Sequence, residues 1–131
     1  MMKTLQSLEI FSAFSEDLLK ALSSFVKIET YNKGDLIFKE GDEGTAMYII
    51  EKGQVEIRKK DKTLSYFTEE SIFGEMALFE KAKRSADAIA RTDLTLNRLD
   101  HQDFRKFIFD HPKPGVQFLY SSINEMSRRL R

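Results

Sequence analysis

The residues best suited to chemistry lie in one short stretch, FGEMALFEKAKRSADAIA, from Phe73 to Ala90. Gly74 and Glu75 stand near its start; Arg84 and Ser85 follow after a gap. GEMALFE is rich in helix formers, so Gly74 and Glu75 fall at the beginning of a short helix. The free N–H groups of a helix start attract an anion, and glycine lets it come close. Arg84 brings a permanently charged fork of donors suited to phosphate. Ser85 adds a hydroxyl and another backbone N–H. Glu75 would repel a phosphate, yet it can accept hydrogen bonds from neutral hydroxyls such as those of a ribose. Phosphate donors and a hydroxyl acceptor on one loop describe a site for a small phosphorylated sugar such as a nucleotide. The same spacing also allows a Glu75–Arg84 ion pair tying helix to strand, and the residues alone leave both open.

Several elements must position that stretch. Residues 3–24 carry apolar side chains at helical spacing, including Leu5, Leu8, Phe11, Phe14, Leu18, Leu19 and Leu22. Ser15, followed by Glu16 and Asp17, interrupts them as a helix N-cap, which predicts two short helices. From Phe25 the period changes to two, in VKIETY, DLIFKEG, AMYIIEKGQVEIRKK and TLSYFTEE, with turn signals NKGD, GDEG, KG and KDKT between them. RSADAIA and LTLNRL are two further strand candidates. Residues 25–100 therefore predict an antiparallel sandwich or barrel of short strands. Helical spacing returns over 101–111, HPKPG reads as a break because prolines cannot continue a helix, and a last helix is expected over 115–131. The expected class is α+β, one domain spanning 1–131.

The last helix carries a second pattern. Val116, Leu119, Ile123, Met126 and Leu130 are spaced as an a/d seam over two heptads. Such a stripe can pack within its own chain or against a second copy, and the spacing fits both.

Composition narrows the function classes. The 131 residues suit one domain with a real core. With 21 basic and 21 acidic side chains, bulk charge gives no argument for nucleic acid or an anionic membrane as the main partner. The absence of cysteine removes disulfides, iron–sulfur clusters and thiol chemistry. The longest apolar run, AMYII, is far short of a membrane helix, and the N-terminus lacks a secretory pattern, so a cytoplasmic protein is expected.

The 73–86 segment resembles the phosphate-binding cassette of the cyclic nucleotide-binding domain family, found in the catabolite activator protein and the regulatory subunit of protein kinase A. Phe73, Gly74, Glu75, Met76, Ala77 and Leu78 match its first half, and Arg84, Ser85, Ala86 and Ala90 its second. Gly34, Gly41, Gly44 and Gly53 fall where the family has glycine turns, and the flanking helices also fit, so the resemblance covers nearly the whole chain. It implies an antiparallel β-roll, a jelly-roll-like barrel of about eight strands, with N-terminal helices, a short cassette helix and two C-terminal helices. It implies that Arg84 holds a cyclic phosphate, helped by the N–H groups of Ala77 and Ser85. Glu75 would accept from the ribose 2′-hydroxyl, with Gly74 giving close approach. Val55, Leu64 and Ser65 would line the base side. Arg129 would cap the base from the last helix, with Arg128 as the alternative. Serine after the arginine leans toward cyclic AMP over cyclic GMP.

The resemblance further implies a sensor without catalysis, without a cofactor beyond its ligand and without direct DNA binding. A haem sensor would need His or Cys ligands, and His101 and His111 fall after the roll. Ligand would draw in the cassette and shift the 101–110 helix through Leu78 and Phe79 packing on Phe104, Phe107 and Phe109. Two positions depart from the pattern. Glu70 stands where the family has a turn glycine, so the loop is expected to turn some other way, and Asp87, if it faces the pocket, would compete with phosphate for Arg84. The alternative function is a degenerate member acting as an interaction or dimerisation module.

Overall fold

In the computed structural model of the chain, the described residues are 5, 8–74 and 83–129, with Glu9, Met126 and Arg129 described for backbone alone. The expected cassette helix, with Glu75, Met76, Ala77, Leu78 and Phe79, lies outside them, as does Leu130. The chain divides into two compact units, Val26–His101 and the residues on either side of it.

Among the described residues, the central unit holds eight strands: β1 (Lys27–Tyr31), β2 (Leu36–Phe38), β3 (Ala46–Lys52), β4 (Val55–Lys59), β5 (Lys62–Phe67), β6 (Ile72–Phe73), β7 (Asp87–Ala90) and β8 (Leu94–Asp100). They form two antiparallel four-stranded sheets, ordered β1-β8-β3-β6 and β2-β7-β4-β5. Ala46, Tyr48 and Ile50 of β3, Leu94 and Leu96 of β8, and Phe73 of β6 meet Val55 of β4 and Ala88 and Ala90 of β7 in one buried cluster. The two sheets thus share one interior, giving a roll rather than a closed barrel. Alternation explains the choice, because each set of residues two apart shares a face. Strand β6 has two residues, too short for any periodicity to reveal.

Turns close the roll. Gly53 has φ +102, and a Cβ there would run into the carbonyl of Asp93, so only glycine fits. At the β5–β6 loop Glu70 takes φ +70, the left-handed conformation. The expectation of a different turn is thereby corrected. The loop turns as a glycine would turn it, fixed by Glu70 N–H to the Ile50 carbonyl (2.9 Å) and Ser71 N–H to the Thr68 carbonyl (3.1 Å).

Polar side chains lock the strands. Arg98 pairs with Glu29 (3.3 Å) and Lys27 with Asp100 (2.9 Å) across the β1–β8 register, and Arg98 pairs with Asp100 (2.9 Å) along β8 itself. Burial pushes the Asp100 carboxyl up, but hydrogen bonds from Lys27 and Arg98 outweigh it and hold the group below its ordinary range. Glu56 is likewise lowered, first by the Thr63 hydroxyl and, against some burial, by Arg58.

In the flanking unit a 3-10 turn (Glu9–Phe11) precedes helix α1 (Glu16–Ser23). Ser15 caps α1 as its sequence predicts, its Oγ accepting from Leu18 N–H at 3.1 Å. Helix α2 spans His101–Asp110 and α3 spans Pro112–Arg129. The expected break over HPKPG is thus present but confined to His111, and the last helix begins at Pro112 rather than at Gly115. Both prolines sit in the first turn of α3, where a missing N–H costs nothing, and only His111 separates the helices. Phe11, Phe14, Phe104, Phe107 and Phe118 form a chain of stacked and edge-on rings. Gly115 allows the α2–α3 corner to close, since a Cβ would lie 2.5 Å from Ile108 Cγ2.

Two stability predictions follow from these contacts. Glu70→Gly should hold stability or raise it by up to about 1 kcal/mol, while the β-branched Glu70→Val should cost about 1–2 kcal/mol in urea unfolding. Because Glu56 and Asp100 have lowered folded pKa values, the stability they contribute is present above the unfolded carboxylate value of about 4 and disappears as pH falls through the folded value. Glu56→Gln with Asp100→Asn should flatten the melting temperature between about pH 5 and pH 2. An unchanged acid slope would show that other groups carry it.

Candidate functional site

Strand β7 and the residues before it bring the site together. Arg84 lies ahead of β7 and is 9% exposed, deep enough that its charge must be held by specific groups. Its N–H donates to the Asp42 carbonyl (2.7 Å) and its own carbonyl accepts from Gly41 N–H (2.9 Å), which sews the backbone to the 39–42 loop. The guanidinium Nη1 donates to the Gly74 carbonyl at 3.1 Å and Nη2 to the Ala46 carbonyl at 2.6 Å. Its centre lies 4.2 Å from the centroid of the Phe38 ring.

Gly74 makes this possible. It has φ +80, and a Cβ would stand 2.9 Å from Arg84 Nη1 and 3.1 Å from the Ala46 carbonyl. A side chain there would displace the arginine. His101 Nε2 donates to the same Gly74 carbonyl at 3.2 Å, and His101 N–H donates to the Thr45 carbonyl at 2.9 Å. One carbonyl oxygen therefore serves both Arg84 and the residue that opens α2.

Register aligns the rest. Ser65 of β5 stands opposite Ile57 of β4, Ile57 opposite Ala88 of β7, and Ala88 opposite Phe38 of β2. Ile57, Ala88 and Phe38 all belong to the interior, so the row crosses the inner face of the sheet. Its ends lie three strand spacings apart, about 14 Å. Ser65 is exposed at one end, and Phe38 carries Arg84 at the other. The alanines Ala86, Ala88 and Ala90, all buried, keep the middle of that face shallow.

Of the remaining residues expected at the site, Phe73 is buried and stacked on Tyr48 at 5.1 Å. Ser85 is exposed beside Arg84. Val55 is fully buried in the core, one step along β4 from the row. Leu64 sits at the bulge where the β4–β5 register shifts and is 58% exposed. Glu75, Met76 and Ala77 lie outside the described residues, as does the side chain of Arg129. Its neighbour Arg128 pairs with Glu125 at 2.5 Å on its own helix.

Asp87 does not reach for the arginine as feared. Its Oδ1 accepts from Glu40 N–H at 2.7 Å, so the carboxylate caps the 39–42 loop that Arg84 also holds. Phe109 is 80% exposed, Phe104 and Phe107 are buried among the rings of their own unit, and Leu78 and Phe79, the partners expected of all three, lie outside the described residues. Sequence reasoning missed Phe38 and His101 as neighbours of the site. Phe38 is one of 11 phenylalanines, and nothing local singles it out. Among the described residues no cluster of His, Cys, Asp and Glu could hold a metal ion, and no helix is long and apolar enough to cross a membrane.

Comparison with known proteins identifies the family. The sequence pattern described as the cyclic nucleotide-binding domain matches residues 28–111. A cAMP-dependent protein kinase regulatory subunit from Debaryomyces hansenii is 36% identical over 110 residues, covering 82% of this chain and 24% of that protein. A cGMP-dependent protein kinase from Plasmodium berghei is 32% identical over 96 residues, covering 73% of this chain and 11% of the kinase. The chain thus spans about a quarter or less of the length of these protein kinase relatives. The crystal structure of the Thermus thermophilus catabolite activator protein superposes with a TM-score of 0.81 at 27% identity, covering 92% of this chain and 59% of that one. The chain belongs to the cyclic nucleotide-binding domain family.

Proposed function

We propose that this chain is a sensor that binds cyclic AMP in preference to cyclic GMP and performs no chemistry on it. The observation that carries the reading is the Arg84 guanidinium, buried and aimed by the Gly74 and Ala46 carbonyls and the Phe38 ring. These groups fix its direction. A cyclic phosphate meets that fork with charge-assisted hydrogen bonds. Ser85 adds its hydroxyl and N–H, and Glu75 accepts from the ribose 2′-hydroxyl. The base lies along the inner-face row toward Ser65, beside Val55 and Leu64, and Arg129 closes over it. Serine rather than threonine at position 85 favours adenine. The kinase regulatory relative, named for cAMP, supports that choice, while the relative named for cGMP makes it a matter for direct test.

Binding becomes a signal through the shared Gly74 carbonyl. A phosphate that draws Arg84 changes the demand on that oxygen, and His101, the first residue of α2, is bonded to it as well. A ligand moves the C-terminal helices only to the extent that it prefers one of their positions.

The output is carried by a second copy. Helix α3 buries Gly115, Phe118 and Ser122 but exposes Val116 (64%), Tyr120 (63%) and Ile123 (57%), with Leu119 half-buried. Two residues of the expected seam thus face away from the packed side, and a stripe at heptad spacing is self-complementary. Met126 and Leu130 would extend it.

Calorimetric titration with cyclic AMP and cyclic GMP tests the first proposal. Wild-type protein should bind cyclic AMP more tightly, and Arg84→Ala should weaken binding at least ~30-fold. Folded, nucleotide-free protein that gives no heat with either ligand would sink it in favour of an interaction module. Sedimentation over a range of concentrations tests the second: Ile123→Asp should raise the dimer dissociation constant at least tenfold or so. A wild-type chain that stays monomeric at ~100 μM would dispose of the dimer, given micromolar affinity as the working scale.

A further inference from the structure

We infer that Phe38 is a positioning residue for Arg84, setting the plane of the guanidinium by a cation–π contact so that the anion meets an oriented fork. The inference rests on the reading of Arg84 as the cyclic-phosphate ligand.

Two carbonyls and one aromatic ring together bear on the orientation of the planar group. Gly74 O and Ala46 O fix where the two terminal nitrogens point within the plane. Neither fixes its tilt. The Phe38 ring, 4.2 Å from Arg84 Cζ, lies against one face and does so. On the Gly74 side there is no room to swing away, because even a single added carbon would come within 2.9 Å of Nη1. The guanidinium therefore has a ring against one face and the Gly74 backbone at its Nη1 edge. With a face covered by Phe38, an anion meets the fork along its edge, which is the geometry of paired N–H···O bonds.

Phe38 is itself rigidly placed. Its ring lies 6.2 Å from Tyr48 and 6.1 Å from Phe73, and Tyr48 and Phe73 stack at 5.1 Å with their planes 18° apart. Phe73 also stacks on Phe67 at 6.0 Å. Phe38 is thus one edge of a four-ring group whose centre is the residue before Gly74. Its backbone pairs with Ala88 at a point where the β2–β7 register shifts, and the alanine leaves room for the ring. A leucine at 38 would keep an apolar, though smaller, side chain at the position. It would lack the negative ring face that attracts a cation, an attraction that grows when both groups are out of water.

Ring electrostatics can be varied at nearly constant shape. Phe38 would be replaced by mono-, di- and trifluorinated phenylalanine, and each variant titrated with cyclic AMP and melted without ligand. The affinity should fall stepwise, by about tenfold at three fluorines, with a nearly constant melting temperature. Phe38→Tyr should keep wild-type affinity and Phe38→Leu should resemble the trifluoro variant. The same series at Phe11, whose ring packs on Phe14 and Phe118, should leave affinity flat. Wild-type binding with a flat Phe38 series would overturn this inference alone, as would a loss that tracks the melting temperature or appears equally at Phe11. Failure of the wild-type protein to bind cyclic AMP would overturn it together with the reading of Arg84.

Discussion

The Gly74 carbonyl is the point on which the described site turns. It accepts from Arg84 at 3.1 Å and from His101 at 3.2 Å, so it joins the end of β6, the approach to β7 and the start of α2 in one hydrogen-bonded centre. Three facts must hold for that oxygen to do so. Position 74 must reach φ +80, it must lack a Cβ, and β6 must deliver it beside β3, where Ala46 offers the second carbonyl. The two-residue strand β6 is thus short but not incidental. Its Phe73 pairs with Tyr48, and that pairing sets the height at which Gly74 leaves the sheet.

The loop at 39–42 serves the same centre from the other sheet. Gly41 and Asp42 exchange backbone hydrogen bonds with Arg84, and Asp87 caps Glu40 N–H. An acid close to a phosphate-binding arginine looks like a defect in a linear reading. In the fold it holds the loop that holds the arginine. Elsewhere in the roll Arg98 pairs with Glu29 and Asp100 and cross-links β1 to β8.

Much of this was legible in the sequence because it rests on local rules. The period-two runs marked most of the strands, Ser15 with two acids marked the α1 cap, and RSADAIA marked the strand that becomes β7. What was not legible depends on neighbours distant in the chain. HPKPG reads as a helix stop unless the prolines happen to occupy a first turn, which they do once α2 ends at Asp110. Glu70 reads as the wrong residue for a left-handed turn, yet the hydrogen bond of its N–H to Ile50 is made across strands and imposes that conformation. Phe38 is invisible among the other phenylalanines because its significance lies in the register that sets it under a residue 46 positions later.

The expected seam on α3 shows the same division between pattern and context. Heptad spacing identified an apolar stripe but could not say whether the chain's own core covers it. The structure separates the two faces: Phe118 and Ser122 turn inward, while Val116, Tyr120 and Ile123 do not. Gly115 explains why the inward face is the one it is. Its closeness to Ile108 fixes how the first turn of α3 is rotated against the end of α2, and every later residue of the helix inherits that rotation at 100° per step. A larger residue at 115 would force the corner open, and the stripe's exposure is therefore set at the corner rather than along the stripe itself.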